Sequence, residues 1–411
     1  MTAGPTIAVV EAGGQTPALR VASRVVALDL LRGILMALMA LGHARHFLSD
    51  ALDFSPTNLS KASAALFLTR WITHFCAPGF VFLAGVGVFL YSRKRRRIEV
   101  SRFLLLRGLW LVLLELTVVR CLGWNFNFNY SHVLAGVLWA VGWSMCLLAG
   151  LIHLGRRAPL VFGALVMLTH NAFDAVKPRA FGGFGWLWTI LHRTSQLEPF
   201  DGVRLKIGYP LLPWVAILSL GYALGPAMEL PTARRRTVLC RLGLGATFGF
   251  LALRTLNIYG DPRPWTSQAS GLYTLFSFLN TDKYPPSLSF TLMTLGPLLL
   301  LLALLDRLQG AWSRPFVVLG RVPLFYYLLH IPLIHLLAVA LAYSRYGRAD
   351  FLFRNPPALH GPPFPLPEGY GYSLPFVYLA WVAAVAILLR PCQLFGEFKR
   401  KRGSSWLTYL L

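Results

Sequence analysis

Ten apolar runs follow one another along this chain, near residues 24–48, 66–91, 103–123, 131–153, 158–176, 208–226, 238–257, 286–306, 316–343 and 373–395. Each is long enough to cross a hydrocarbon layer about 30 Å thick. A backbone in lipid must satisfy its own amides and carbonyls, which for runs of this length means helices. The pattern predicts an all-α, polytopic membrane bundle of about ten transmembrane helices. Residues 180–192, AFGGFGWLWTILH, are short and glycine-rich, so a re-entrant or interfacial segment is expected there in preference to an eleventh crossing. A hydrophobic fraction of 56% against 13% charged residues, with a mean hydropathy of +0.57, fits the same class.

The net charge of +23 would suit a nucleic-acid partner only if it were gathered on one surface. It is instead parcelled out by topology. With the N-terminus inside, every second connection carries a basic cluster: RKRRR at 93–97, Arg156 with Arg157, Arg234 to Arg236, Arg307 with Arg314, and KRKR at 399–402. The inner side then holds about twice as many basic residues as the longer outer connections. Both termini are accordingly expected in the cytoplasm, with a lipid bilayer as the main partner and no nucleic acid. The remaining basicity suits anionic lipid, and secondarily a polyanion such as coenzyme A. Residues 1–19 lack a basic stretch followed by an apolar one, so no cleaved signal peptide is expected. The chain divides into a flexible segment 1–23, a membrane domain 24–395 and a basic tail 396–411. Its five cysteines lie mainly in apolar runs without a C-x-x-C pair, which reads as packing and not as disulfides or a zinc site.

Ionisable residues form a stripe on the first predicted helix. At about 100° per residue, Asp29, Arg32 and His43 share an arc of roughly 60°, and Asp29 and His43 are separated by roughly 21 Å. Each such group near the hydrocarbon centre costs about 2.5–3.5 kcal/mol, so the stripe should face protein and not lipid. Asp29 and Arg32 can pair at i, i+3, whereas His43 has no local partner.

Other spans add to this. In RWITHFCAPGF, Arg70, His74 and Pro78 share a face, and Pro78 deprives the His74 carbonyl of its usual donor, predicting a kink with an imidazole on it. His74 then sits at a depth similar to His43. His170 and Asp174 fall at i, i+4 near the outer end of the fifth span, either as an oriented pair or as an exposed helix end. Asp282 and Lys283 precede Pro285 and Pro286 at the start of the eighth, where they read as either functional or ordinary interfacial charge. His330 lies near the centre of the ninth, where it needs a partner or a cavity, while His335 reads as structural. The long proline-rich connections, including residues 355–372, could roof an outer cavity or be plain loops. Walker A, dinucleotide, H-E-x-x-H and G-x-S-x-G motifs do not occur.

Taken in order, LDLLRGILMALMALGHARHF (28–47), RWITHFCAPGFVFLAG (70–85), THNAFDAV (169–176), YPLLPWVAILSLGYALG (209–225), DKYPPSLSFTLMTLGP (282–297) and LGRVPLFYYLLHIPLIHLLA (319–338) resemble a known family. It is that of the membrane acetyltransferases related to the catalytic region of heparan-α-glucosaminide N-acetyltransferase, in its bacterial branch. The first helix is also similar to that of the acyltransferase type 3 proteins through Asp29, Leu31, Arg32 and His43. The resemblance implies a bacterial inner-membrane protein in which cytoplasmic acetyl-CoA donates its acyl group to an amino or hydroxyl group of a sugar or glycan outside. It departs from the bacterial pattern at Gly42, where an aspartate usually precedes the histidine, and the position of His74 is aspartate in the lysosomal branch.

On this reading His43 is the general base or a transient acyl carrier, with His74 or His330 completing the catalytic group. Arg32, held by Asp29, together with Arg95, Arg96 and the other inner basic residues, would attract coenzyme A phosphates. Arg70, His170, Asp174 and Lys283 are the candidate acceptor contacts, and no metal is expected. Two rival classes remain: a transporter or flippase for a glycan or lipid-linked sugar, and a non-catalytic membrane scaffold.

Overall fold

The computed structural model describes residues 26–308, 310–356 and 365–402. The N-terminal segment 1–23, the centre of the proline-rich connection and the last nine residues of the tail lie outside the described residues. The helices are α1 (Val26–Leu48), α2 (Ala64–Thr73), α3 (Cys76–Ser92), α4 (Arg97–Leu114), α5 (Val137–Leu151), α6 (Ala158–Thr169), α7 (Gly185–His192), α8 (Leu211–Leu224), α9 (Thr232–Leu256), α10 (Gly271–Leu279), α11 (Leu288–Leu305), α12 (Arg314–Arg321), α13 (Pro323–Tyr346) and α14 (Leu374–Arg402). Among the described residues, seven helical segments are long and apolar enough to cross a membrane, or eight when a bent pair is counted as one span. Each of the ten apolar runs contains a helix, but α4, α5 and α6 do not meet that length and composition on their own.

Two of these departures have a local cause. The run at 131–153 is broken by Gly136, so that residues 132–135 form a strand and only α5 remains helical. The run at 158–176 stops as α6, tightens into a 3-10 turn at His170–Phe173, and bends by 112° into the Pro178–His192 segment. Residues 180–192, expected as a re-entrant or interfacial segment, lie on the second arm of this bent pair. In the second run the kink is also present: α2 ends before His74, and α3 begins at Cys76 with Pro78 in its first turn.

The fold is mostly helical but not all-α, which corrects the sequence expectation. A three-stranded sheet, β1 (His132–Ala135), β2 (Ser195–Phe200) and β3 (Val203–Ile207), has the order β1-β3-β2, with β1 parallel and β2 antiparallel to β3. Its signal is present in the sequence. Asp201-Gly202 separates two short runs, and VRLKI alternates apolar and basic residues, which is a strong short-range hairpin pattern. Gly202 takes φ +73°, the conformation such a turn asks of glycine.

Helix α1 is the centre of the bundle, packed against α3, α12, α13 and α14. At its α12 crossing a β-carbon on Gly33 would fall on the carbonyl oxygen of Phe316, and one on Gly320 would fall on that of Asp29. Two glycines on facing helices thus bring the backbones into contact, the usual device for helix association in lipid. This close approach holds α1 in place along the wall of the cavity described next.

Candidate functional site

Near the C-terminal end of α1 the helices part around a cavity of about 710 Å³. Gly42, His43, Arg45 and His46 line it from α1, and Arg70, Thr73 and His74 from α2 and the kink. Lys283 and Tyr284 enter from the connection before α11, Lys206 from β3, and Glu115 with Trp124 from the π-helical continuation of α4. The sequence-predicted residues His43, His74, Arg70 and Lys283 are therefore brought to one chamber from segments more than two hundred residues apart.

His43 stands edge-on to two rings, Trp124 and His330, each with a centroid separation of 5.0 Å. His330 is fully buried behind it and does not line the cavity. The His330 Nδ1 lies 2.7 Å from the carbonyl of Tyr327; because a carbonyl only accepts, Nδ1 carries the proton and Nε2 is left as the acceptor. That Nε2 has no hydrogen-bond partner among the described residues. His74 packs against Phe290 at 5.6 Å, and its Nδ1 is likewise buried without a partner. Arg70 and Lys283 act electrostatically on both His43 and His74. Glu115 is occupied structurally: its carboxylate accepts the amide of Leu138 at 2.7 Å and so caps the start of α5.

The connection at 280–287 carries an unusual pair. Burial pushes the Tyr284 phenol up, but the cations of Lys283 and Arg70 outweigh it and bring it down to about 7. Burial, with Arg70 next, lowers Lys283. Tyr209 lies edge-on to Tyr284, with ring centroids 5.4 Å apart. Sequence reading missed Tyr284, Tyr209, Lys206 and Arg45. The YPP and YPLLP segments are plain in the sequence, but nothing local shows that two tyrosines 75 positions apart meet.

The remaining predicted residues lie elsewhere. Asp29 and Arg32 pair at 3.5 Å, Arg321 approaches Asp29 at 3.8 Å, and Arg32 donates to the Leu83 carbonyl at 3.0 Å. The pair thus ties α1 to α3 and α12, away from the cavity. Arg95 stacks on Tyr91 and lines a separate open groove with Glu99 and Arg102, while Arg96 pairs with Glu99 on the surface. His170 and Asp174 are not a helical i, i+4 pair, because the chain tightens into a 3-10 turn between them; the Asp174 carboxylate faces His192 at 3.3 Å. His335 is structural, with both ring nitrogens within hydrogen-bond distance of carbonyls, at Gly123 (2.8 Å) and Leu352 (2.9 Å).

The family described as heparan-alpha-glucosaminide N-acetyltransferase, catalytic, matches residues 24–260, more than half of the chain. The chain belongs to this family. The match confirms the resemblance drawn from the sequence segments and makes the protein a member of a membrane acetyltransferase family of the acetyl-CoA-using type. No curated protein matches the chain. The matched stretch contains His43, Arg70, His74, His170 and Asp174, while Lys283, Tyr284 and His330 lie beyond it. With its apolar helices, this family member is an integral membrane protein.

Proposed function

We propose that residues 24–395 form an acyltransferase unit that passes an acetyl group from cytoplasmic acyl-CoA to an amino or hydroxyl group of a sugar or glycan at the outer face of a bacterial inner membrane. The observation that carries this reading is the meeting of His43 and His74 in one cavity that Arg70, Lys206, Lys283 and Tyr284 also line. In this reading the chain crosses ten times with both termini inside, which puts the basic clusters in the cytoplasm and the cavity toward the outer half.

His43 serves as base or transient acyl carrier. A neutral imidazole removes the proton of the acceptor amine or hydroxyl, or itself attacks the thioester carbonyl, and coenzyme A leaves as thiolate. The developing oxyanion meets the cationic field of Arg70 and Lys283. His330, whose Nε2 is an open acceptor, supports the His43 ring from behind. Arg95, Arg96 and Arg102 at the basic end offer sites for the phosphates of the donor, with Arg32, held by Asp29, deeper on the same side.

The test is release of coenzyme A from acetyl-CoA by the protein in nanodiscs with a panel of amino sugars. Histidine-dependent release supports the reading; substrate movement across the membrane without thioester consumption would favour a transporter, and absence of donor binding a scaffold.

A further inference from the structure

The bend between α6 and α7 gathers three side chains that the proposed reaction does not use. His170 lies on the 3-10 turn after α6, Asp174 closes that turn, and His192 ends α7 on the other arm of the 112° bend. One ligating atom from each lies within 4.8 Å of the other two. We propose that His170, Asp174 and His192 bind a single divalent ion of the zinc class, which clips the two arms of the bend together and so fixes one wall of the cavity.

The first argument is the state of the imidazoles. His170 is 1% exposed and His192 0%. All four of their ring nitrogens are buried without a hydrogen-bond partner among the described residues. Even the 3.3 Å approach of His192 Nε2 to Asp174 Oδ1 lacks hydrogen-bond alignment. Each unsatisfied polar group of this kind costs about 1–3 kcal/mol, and a bound cation relieves two of the four, one on each ring. A cation takes a lone pair from one nitrogen of each ring and from the carboxylate.

The second argument is the donor set. Two imidazoles and one carboxylate suit zinc and its first-row neighbours, whereas calcium and magnesium prefer shells of oxygen. Zinc to nitrogen distances of about 2.0–2.1 Å require ligand atoms roughly 3.3 Å apart, the separation that His192 Nε2 and Asp174 Oδ1 already have, so the widest gap in the cluster closes by at most about 1.5 Å on binding. Three protein ligands leave a fourth position to water. One supporting contact is in place: the other oxygen of Asp174 accepts the side-chain amide of Asn171 at 2.7 Å, which orients the carboxylate.

The position gives the ion its role. Asn171, next to His170, accepts the amide of Leu288 at 2.9 Å, at the start of α11 just after Tyr284. Thr194, two residues after His192, lines the cavity. The three ligands themselves do not line it, so the ion acts as a brace and not as a reactant.

The experiment is a metal titration of the full chain in nanodiscs, purified without a histidine tag and stripped with chelator. Cobalt(II) is the spectroscopic probe and zinc(II) the competitor. The expected result is one cobalt per chain with visible d–d absorption, displacement of that absorption by zinc, and a rise in melting temperature on loading. Asp174→Asn and His192→Gln should each weaken binding by about 100-fold, while His153→Gln, an exposed histidine far from the bend, leaves it unchanged. The wild-type titration decides even if a variant fails to fold: lack of saturable micromolar binding overturns the site. Binding that folded Asp174→Asn and His192→Gln retain at full strength also overturns it.

Discussion

The imidazoles of His43 and His330 meet edge-on, with ring centroids 5.0 Å apart and planes inclined at 61°, although 287 positions separate them in the chain. One opens to the cavity and the other is sealed behind it with its proton fixed on Nδ1. His43→Ala is expected to lower acyl transfer by about 100-fold or more, the usual weight of a general base or nucleophile, with unchanged elution on size exclusion. His330→Ala should lower the rate less, because it removes support for the ring and not the ring itself. Coenzyme A release by the two variants checks the order, and equal loss would place His330 in the chemistry directly.

Tyr284 should titrate near pH 7. Its folded-state value of about 7 lies below the ordinary phenol value of about 10, so the ionised form favours the fold fully above pH 10, and that contribution is lost as the pH falls through about 7. The tyrosinate absorbance of wild type minus Tyr284→Phe should show one phenol ionising near neutrality. Lys283→Met should move that step upward, since it removes one of the two cations that lower it.

Two glycines of α1 should respond in opposite ways to a methyl group. Gly33→Ala drives a β-carbon into the Phe316 carbonyl and should cost about 1–3 kcal/mol, read as reduced yield and a lower melting temperature. Gly42→Ala meets nothing nearer than the Thr73 side chain at 3.7 Å and should melt as wild type does.

Glu115 holds the amide of Leu138 at the start of α5, and a β-carbon on Gly136 would strike its carboxylate. Glu115→Ala should lose about 1–2 kcal/mol as a removed N-terminal cap, while Glu115→Gln, which keeps an acceptor oxygen, should lose less. Thermal melts of the two variants in one detergent separate them. Equal melting would mean that the charge, and not the cap, matters.

Much of the architecture is written in local pattern. Apolar runs of membrane length specify helices over most of their length, and Pro78 dictates the break at His74 because it removes a backbone donor. The ionisable stripe on α1 follows from helical period, and the Asp29–Arg32 pair follows from i, i+3 spacing. What local pattern does not contain is the meeting of distant segments. Whether the run at 158–176 crosses or bends depends on packing against α8 and on the turn at His170, and the Asp201-Gly202 hairpin gains its significance by placing Lys206 against the cavity.

The sequence by itself determined a membrane bundle, a kinked second span, and the polar residues that cannot face lipid. Tertiary structure alone decided which of those residues share a chamber. It joined His43 to His330, set Tyr284 between Lys283, Arg70 and Tyr209, and brought His192 to His170 and Asp174. The physical reason is that helical period fixes the direction of a side chain around its own axis, while its partner depends on which helix packs there and at what depth.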